Sequence, residues 1–284
     1  MSGTRDVRIE ADTSLSSRRR ALDALYSRHN SRDNTANDPV RFLYRYGDPR
    51  DREVVGLVAS SLALGNVAQI LAGVESVLRP MGPRPCQFLE RASRDQLQRT
   101  FAGFRHRFID GGELASMLAG LQAVIANYGS LGACFANAYR PDDDTICRAL
   151  SAFVTALRAA DGGRPNRLLP SPDNGSACKR LNLFLRWMVR RDNVDPGGWD
   201  EIPPARLIIP LDTHVHRIGL ALGMTTRRQA NLRTALEITA AFREIAPDDP
   251  ARYDFALAHL GIDGGPNLGL FLREWRGTEQ GSHA

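Results

Sequence analysis

Apolar positions recur at intervals of three and four residues through most of the chain, which is the spacing of one face of an α-helix. Strand-like stretches are scarce: only RLIIPL, residues 206–211, is extended in pattern, and Pro210 interrupts it. The pattern therefore predicts an all-α fold. Helices are predicted at residues 16–28, 48–65, 67–78, 114–128, 144–160, 177–190, 212–222, 229–245 and 250–260.

Polar segments separate these helices and predict loops. Residues 1–14 are polar and are expected to form a disordered tail. The stretch HNSRDNTAND, residues 29–38, and the stretch DGGRPNRLLPSPDNG, residues 161–175, are rich in turn-forming residues. Pro49 in a first turn and Gly129 after a last turn fit the usual asymmetry of helix ends.

Composition narrows the class of protein. The 284 residues are 43% hydrophobic and 24% charged, which is ordinary for a globular protein. No apolar run approaches the roughly 20 residues that span a bilayer, and the amino terminus has no apolar core of a signal peptide. A cytoplasmic location is expected. The four cysteines are scattered without the C-x-x-C spacing of a zinc ribbon, so no metal or other cofactor is expected.

Positive charge is concentrated in one segment. The net charge is +5, and residues 175–243 hold eleven positive and six negative side chains, which accounts for the whole excess. Such a segment permits an anionic partner, although a solvated basic face has the same composition.

Lys179 is the only lysine, because all the other basic residues are arginines. Arginine stays protonated and cannot act as a nucleophile, whereas a lysine amine can. Lys179 falls in the first turn of the predicted helix 177–190, just after a Pro- and Gly-rich turn. A helix amino terminus suits a phosphate and disfavours a protonated amine. Lys179 is thus either a nucleophile or a solvated cation that touches phosphate.

Asp212 begins the second candidate motif, PLDTHVHRI, at the N-cap position of the predicted helix 212–222. A carboxylate there can cap the helix, and it can also accept a proton or stabilise positive charge on a sugar. The letters D-x-H-x-H, Asp212 to His216, also resemble the first-strand metal site of amidohydrolase barrels. Only 68 residues follow His216, and they have helical spacing, which does not provide the strands of such a barrel.

These motifs resemble the helix-hairpin-helix superfamily of base-excision DNA glycosylases. The likeness consists of L-P, a turn and G-S-A-C-K-R, followed by P-L-D-T-H-V-H-R-I. It is greatest to an uncharacterised bacterial family, itself similar to archaeal 8-oxoguanine glycosylases, and there it extends to DREVVGLVASSLALGN, FRHRF and DPARYDFALAHLG. The likeness to enzymes of known activity covers about residues 165–262.

The resemblance implies a fold and a site. The fold would be two helical domains with a cleft between them: a terminal domain of residues 15–48 and 204–284, and a central domain of residues 49–203 that carries the hairpin. Lys179 matches the Schiff-base lysine and Asp212 the catalytic aspartate. The DNA-binding residues would be Gly175, Ser176, Ala177, Cys178, Arg180, Thr213, His214 and Arg217.

Three features depart from the superfamily pattern. Ala177 replaces the second hairpin glycine, the interval from Lys179 to Asp212 is longer than in the endonuclease III branch, and the iron-sulfur cysteines are missing.

The function that the resemblance implies is excision of a damaged base from double-stranded DNA with cleavage at the abasic site. We expect an oxidised purine as substrate class, a nucleoid-associated monomer as the acting species, and no membrane partner. The alternatives are a DNA-binding or damage-sensing protein without catalysis, and a metal-dependent amidohydrolase. Each of five aromatic side chains fits either the core or base stacking: Phe104, His106, Trp187, Trp199 and Phe255.

Overall fold

The computed structural model describes the backbone of residues 3–263 and 265–277, and the side chains of residues 15–262 and 267–275. Within these ranges the protein is mostly helical and has only two short strands, so the predicted all-α class is confirmed. The α-helices there are α1 (Gly3–His29), α2 (Pro49–Ser61), α3 (Val67–Met81), α4 (Pro85–Arg91), α5 (Arg94–Phe101), α6 (Gly111–Tyr128), α7 (Leu131–Ala138), α8 (Cys147–Ala159), α9 (Lys179–Val189), α10 (Thr213–Ala221), α11 (Leu232–Ile245), α12 (Asp254–Asp263) and α13 (Gly265–Gly277).

Shorter elements connect the helices. Strands β1 (Arg105–His106) and β2 (Ile109–Asp110) form one antiparallel hairpin, with Arg105 opposite Asp110. The extended RLIIPL segment pairs with no strand of the described chain, although the Ile209 amide donates to the Thr239 hydroxyl at 3.1 Å. Short 3-10 helices lie at Arg32–Thr35, Pro39–Arg45, Pro172–Asn174 and Pro204–Arg206.

Several helices begin or end at the capping residues that the sequence predicted. The Asp48 carboxylate accepts from the Arg50 amide, and Pro49 follows it at the start of α2. Gly129 ends α6 with a positive φ of 84°, which only glycine adopts at little cost. At the amino terminus, α1 begins at Gly3. It therefore includes most of residues 1–14, for which a disordered tail was predicted, so that prediction was wrong for the described backbone. Adding polar residues to an existing helix requires no further nucleation.

Helix α9 lies at the centre of the molecule. The predicted apolar stripe is buried, but so are the polar residues between its members, including Asn182 and Arg186. Its Phe184 ring packs against Gly56 of α2, where an added Cβ would lie 3.2 Å from the ring. The same ring meets Trp199 edge to face at 5.2 Å. A helix buried on all sides holds its first residue, Lys179, in a fixed place.

The helices form two groups by their contacts. Helices α2 to α9 pack mainly on one another, and α1 packs with α11, α12 and α13, while α12 also packs on α10. The 3-10 helix Pro39–Arg45 joins the first group, since it packs on α2 and α3. The division into domains at residues 48 and 203 stays a prediction.

Buried ion pairs join the two groups. Arg186 of α9 pairs with Asp254 of α12, and Arg190 pairs with Asp249 at 3.0 Å. Both arginines also pair with the fully buried Asp195. Breaking such a buried pair leaves an uncompensated charge, so the contact between the groups is strongly specified.

No single helix of the described chain is both long and apolar enough to cross a membrane. Helices α6 and α7 reach that length and composition only when taken together, and the chain bends by 72° between them.

Candidate functional site

Lys179 and Asp212 are brought together although they are far apart in sequence. The Lys179 Nζ lies 3.9 Å from Asp212 Oδ2, and the two side chains are 35% and 21% exposed. Lys179 is the first residue of α9 and Asp212 is the N-cap of α10, so the pair joins the two helix groups. At 3.9 Å the pair is beyond hydrogen-bond length, which leaves room for a third atom in contact with both groups.

The turn before Lys179 adopts unusual backbone angles. Gly175 has a φ of 71° and ends the short 3-10 helix, and Cys178 has a φ of 46° directly before Lys179. A left-handed conformation at a non-glycine residue costs about 1 kcal/mol or more. The buried Cys178 thiol donates to the Pro170 carbonyl at 3.5 Å, and its amide donates to the Ser176 hydroxyl. This turn fixes the direction in which α9 begins.

The two oxygens of Asp212 have different partners. Oδ1 accepts from the backbone amides of His214 at 2.9 Å and Val215 at 2.8 Å, as an N-cap does. Oδ2 is the oxygen nearest to Lys179. The cap therefore holds the carboxylate in one orientation, with its second oxygen towards Lys179.

Asp254 stands behind this pair and was missed by sequence reasoning. It is buried and bonded to Arg186, and it lies close enough to Asp212 and Lys179 to sense both charges. Burial raises the pKa of Asp254 to about 7, because Arg186 offsets only part of the lost hydration and the Asp212 charge opposes ionisation. The sequence around Asp254 does not predict its burial or its ion pair, because its partner Arg186 lies 68 positions earlier in the chain.

The half-buried His214 packs against helix α12. An added Cβ at Gly261 would lie 2.7 Å from His214 Cβ, so α10 and α12 meet at this point without space for a side chain. The His214 Nδ1 is buried without a hydrogen-bond partner in the described structure. Thr213 is exposed beside it, and Arg217 donates to the Gly261 carbonyl at 2.9 Å.

The D-x-H-x-H letters do not form the strand of a barrel. Asp212 caps a helix, His214 packs on α12, and the His216 Nε2 lies 2.8 Å from the Arg227 carbonyl oxygen. Among the described residues, no three His, Cys, Asp or Glu side chains converge in a way that could hold a metal ion. The amidohydrolase hypothesis requires these residues to alternate along a β-strand, and they lie at the start of a helix instead.

Several arginines of the basic segment are engaged inside the protein. Arg180, expected to contact phosphate, donates to the carbonyls of Ser61 at 2.7 Å and Arg167 at 2.5 Å. Burial lowers the pKa of Arg180. Arg186 and Arg190 are buried in ion pairs. Part of the positive charge in this segment therefore stabilises the fold, and Arg217 is one of the cations that remain exposed near the site.

The β-hairpin presents a basic and aromatic tip that the sequence did not single out. Phe108 is 52% exposed, whereas Phe104 and His106 of the same FRHRF stretch are buried. Arg107 has a φ of 58°, where glycine or asparagine is usual in a hairpin turn. The Arg167 guanidinium lies 5.5 Å from the Phe108 ring. The other three aromatic candidates, Trp187, Trp199 and Phe255, are core residues.

A route of contacts connects this tip with the lysine. Arg180 follows Lys179 directly and bonds to the backbone of Arg167, whose side chain is paired with Glu113 at 2.7 Å and lies by Phe108. The hairpin and the Lys179–Asp212 pair are thus linked through a continuous set of contacts.

Comparison with known proteins identifies a family without assigning an activity. The family model described as "Protein of unknown function (DUF2400)" matches residues 38–263, which include the hairpin, Lys179, Asp212 and Asp254. The match covers most of the chain, and the chain belongs to this family. No curated protein and no solved structure gave a match.

Proposed function

We propose that this chain is a DNA base-excision glycosylase with an associated abasic-site lyase activity, and that an oxidised purine is the class of base it removes. The supporting observation is the position of Lys179, the only side-chain primary amine in the chain, 3.9 Å from the carboxylate of Asp212. A lysine and a carboxylate at this separation can attack an electrophilic carbon and receive the released proton.

The proposed chemistry begins with a nucleotide flipped out of the duplex. The Lys179 amine attacks C1′ of the deoxyribose, the bond from C1′ to the base breaks, and the base leaves with the electron pair. Asp212 accepts the amine proton through Oδ2 and stabilises positive charge at C1′. Opening of the sugar ring gives an imine between Lys179 and C1′. Loss of a C2′ proton then expels the 3′ phosphate, and hydrolysis of the imine frees the lysine.

DNA would lie across both helix groups in this proposal. The turn at Gly175 to Cys178 and the exposed Thr213 and Arg217 flank the lysine, as the resemblance implies. Arg180 acts instead as an internal brace, because its guanidinium is occupied by two carbonyl oxygens. The hairpin tip adds an exposed aromatic ring with a basic flank, a combination that stacks on unpaired bases.

Reductive trapping tests the proposal. The full chain is incubated with duplexes that hold one abasic site, one 8-oxoguanine or no lesion, in the presence of cyanoborohydride. We expect a covalent protein–DNA adduct and strand cleavage with the damaged duplexes. Lys179→Arg is the matched control because it keeps a cation at the site while removing the nucleophile. That variant should bind the duplex within about threefold of the wild type, a change of well under 1.4 kcal/mol, and form no adduct.

The other outcomes separate the alternatives. Selective binding of damaged DNA by the wild type without any adduct or cleavage would favour a damage-sensing protein. Absence of binding to every duplex would refute the proposed function.

A further inference from the structure

A second site lies at the far end of α9. An open depression of about 460 Å³ is lined by side chains from three segments, including Arg32, Tyr44, Tyr46, Arg52, Asp192 and Asn193. Helix α9 has 11 residues between Lys179 and this end, so the depression lies roughly 16 Å from Lys179 at the usual helical rise. It is therefore separate from the site described above.

The lining is positively charged. Arg32 and Arg52 have no carboxylate partner among the described residues, whereas the neighbouring Arg45 and Arg50 pair with Glu75 and Glu90. Asp192, which also lines the depression, is ion-paired with Arg190, and its carboxylate oxygens already accept several hydrogen bonds. Its donors are Arg190, the Tyr26 hydroxyl, and the amides of Val194 and Asp195.

Both guanidinium groups are held in place before any ligand arrives. The Arg32 guanidinium carbon lies 3.3 Å from the centre of the Tyr44 ring, and the Tyr44 hydroxyl is itself fixed by a 2.6 Å hydrogen bond to the Val194 carbonyl. Arg52 donates one Nη2 hydrogen bond to the Tyr46 carbonyl at 3.2 Å, and its Nε is buried without a partner. Each guanidinium has five N–H donors, so most of them remain unused.

We propose that this depression binds a phosphate-bearing ligand of nucleotide size. Two oriented guanidinium groups match the oxygens of a phosphate, and the volume falls in the range of roughly 300–1,000 Å³ that small-molecule sites occupy. The Tyr46 side chain adds an aromatic surface beside the cations. The phosphate could belong to a free nucleotide or to a nucleic-acid strand. The inference does not depend on the proposed function, because none of its residues belongs to the Lys179–Asp212 site.

Binding measurements with defined probes test the proposal. Titration calorimetry is carried out on the full chain with AMP and with a short single-stranded oligonucleotide. The test variant is Arg32→Gln with Arg52→Gln, and the matched control is Arg45→Gln with Arg50→Gln, which removes the same charge from ion-paired positions. Arg32→Gln alone, at an exposed side chain, repeats the test if the double variant is unstable.

We expect at least one probe to bind, with affinity reduced about tenfold or more in the test variant and little changed in the control. Binding of AMP would identify a free nucleotide as the source of the phosphate, and binding of the oligonucleotide alone would identify a strand. The test variant should still form the borohydride adduct at Lys179 if the proposed function holds. Failure of both probes to bind, or equal affinity in the test variant and the wild type, would overturn the inference.

Discussion

At the residue scale, Asp212 has a structural task and, in the proposed function, a chemical one. Oδ1 accepts from two backbone amides at the start of α10, and Oδ2 lies 3.9 Å from the Lys179 amine. The first task requires only an oxygen in the right place, whereas accepting a proton requires the second oxygen of an ionised carboxylate. The two tasks can therefore be separated by substitution.

Asp212→Asn should keep the helix and lose the chemistry. Asparagine caps helices about as well as aspartate, so we expect the free energy of unfolding to change by less than about 0.5 kcal/mol. The rate of strand cleavage should fall by roughly a hundredfold or more, which is the usual contribution of a positioned base. Urea unfolding and single-turnover cleavage measure the two effects.

Asp212→Ala is the companion variant, because it removes the cap as well. It should lose about 1 kcal/mol of stability in addition to activity. Full cleavage activity in Asp212→Asn would show that the carboxylate has no chemical role.

At the element scale, the site depends on how closely α10 approaches α12. Gly261 contacts His214 at a point where an added Cβ would lie 2.7 Å from His214 Cβ. Because Cβ is fixed to the backbone, a rotamer change cannot relieve that contact, and the helices must move apart. Such a movement would change the position of Asp212 relative to Lys179.

Gly261→Ala should consequently destabilise the fold by about 1–3 kcal/mol, as overpacking commonly does. Gly219→Ala is the matched control, since its Cβ would lie 2.6 Å from Cδ1 of Ile238, the end of a flexible side chain. We expect a smaller loss of stability and normal cleavage in the control. Equal effects of the two substitutions on urea unfolding and on cleavage would contradict the importance of this helix contact.

The pairing of α9 with α12 through Asp254 predicts a dependence of stability on pH. An unfolded aspartate has a pKa near about 3.9, and burial raises the pKa of Asp254 to about 7. Between these values the folded chain retains a proton that the unfolded chain has released. Rising pH therefore favours unfolding in this window, and the contribution levels off above the folded pKa.

Asp254→Asn tests this dependence because an amide cannot ionise but can still accept from Arg186. We expect the free energy of unfolding of the variant to fall less steeply than that of the wild type between pH 5 and 7. Asp195 and Asp249 also have pKa values raised by burial, so some slope should remain in the variant. If the free energy of unfolding changed equally steeply with pH in the two proteins, Asp254 would not be a source of the pH dependence.

Element prediction from sequence succeeded where the apolar spacing was long and the caps were explicit. Helices α2, α6 and α10 begin or end at Asp48, Gly129 and Asp212, the residues whose chemistry marks them. Helices α4, α5 and α7 have only seven or eight residues, too few for a periodic pattern. The hairpin was missed because each of its strands has two residues.

Burial of charge could not be predicted from the same pattern. Arg186 and Arg190 belong to the basic segment, whose composition also fits a solvated face, but they are buried in contact with Asp195, Asp249 and Asp254. Those carboxylates come from other segments, and only the tertiary structure brings them together. Lys179 and Asp212 were found because a unique lysine and a capping aspartate are visible locally.

At the scale of the whole molecule, the proposed nucleic-acid surface runs from Asp212 past Lys179 to the hairpin. Phe108→Ala should reduce affinity for damaged duplex DNA about tenfold, since stacking of a base on an aromatic ring contributes about 1–3 kcal/mol. Tyr128→Ala is the matched control: that ring is 41% exposed at the opposite end of α6, roughly 27 Å away by helical rise.

Fluorescence anisotropy with labelled duplex measures both variants, and thermal melting checks that each is folded. Affinity should also fall steeply with salt, as for any contact with phosphates. Equal losses of DNA affinity in Phe108→Ala and Tyr128→Ala would show that the hairpin does not contribute to the DNA-binding surface.

The central claim is that the Lys179 amine bonds covalently to a deoxyribose, and locating the trapped adduct tests it most directly. Lys179 is the only lysine, so the amino-terminal amine is the only other primary amine that can form a reducible imine. After borohydride reduction on abasic-site DNA and proteolysis, mass spectrometry should find the sugar remnant on the peptide that contains Lys179. A remnant at the amino terminus, or no adduct at all under conditions where the wild type binds the DNA, would contradict the account.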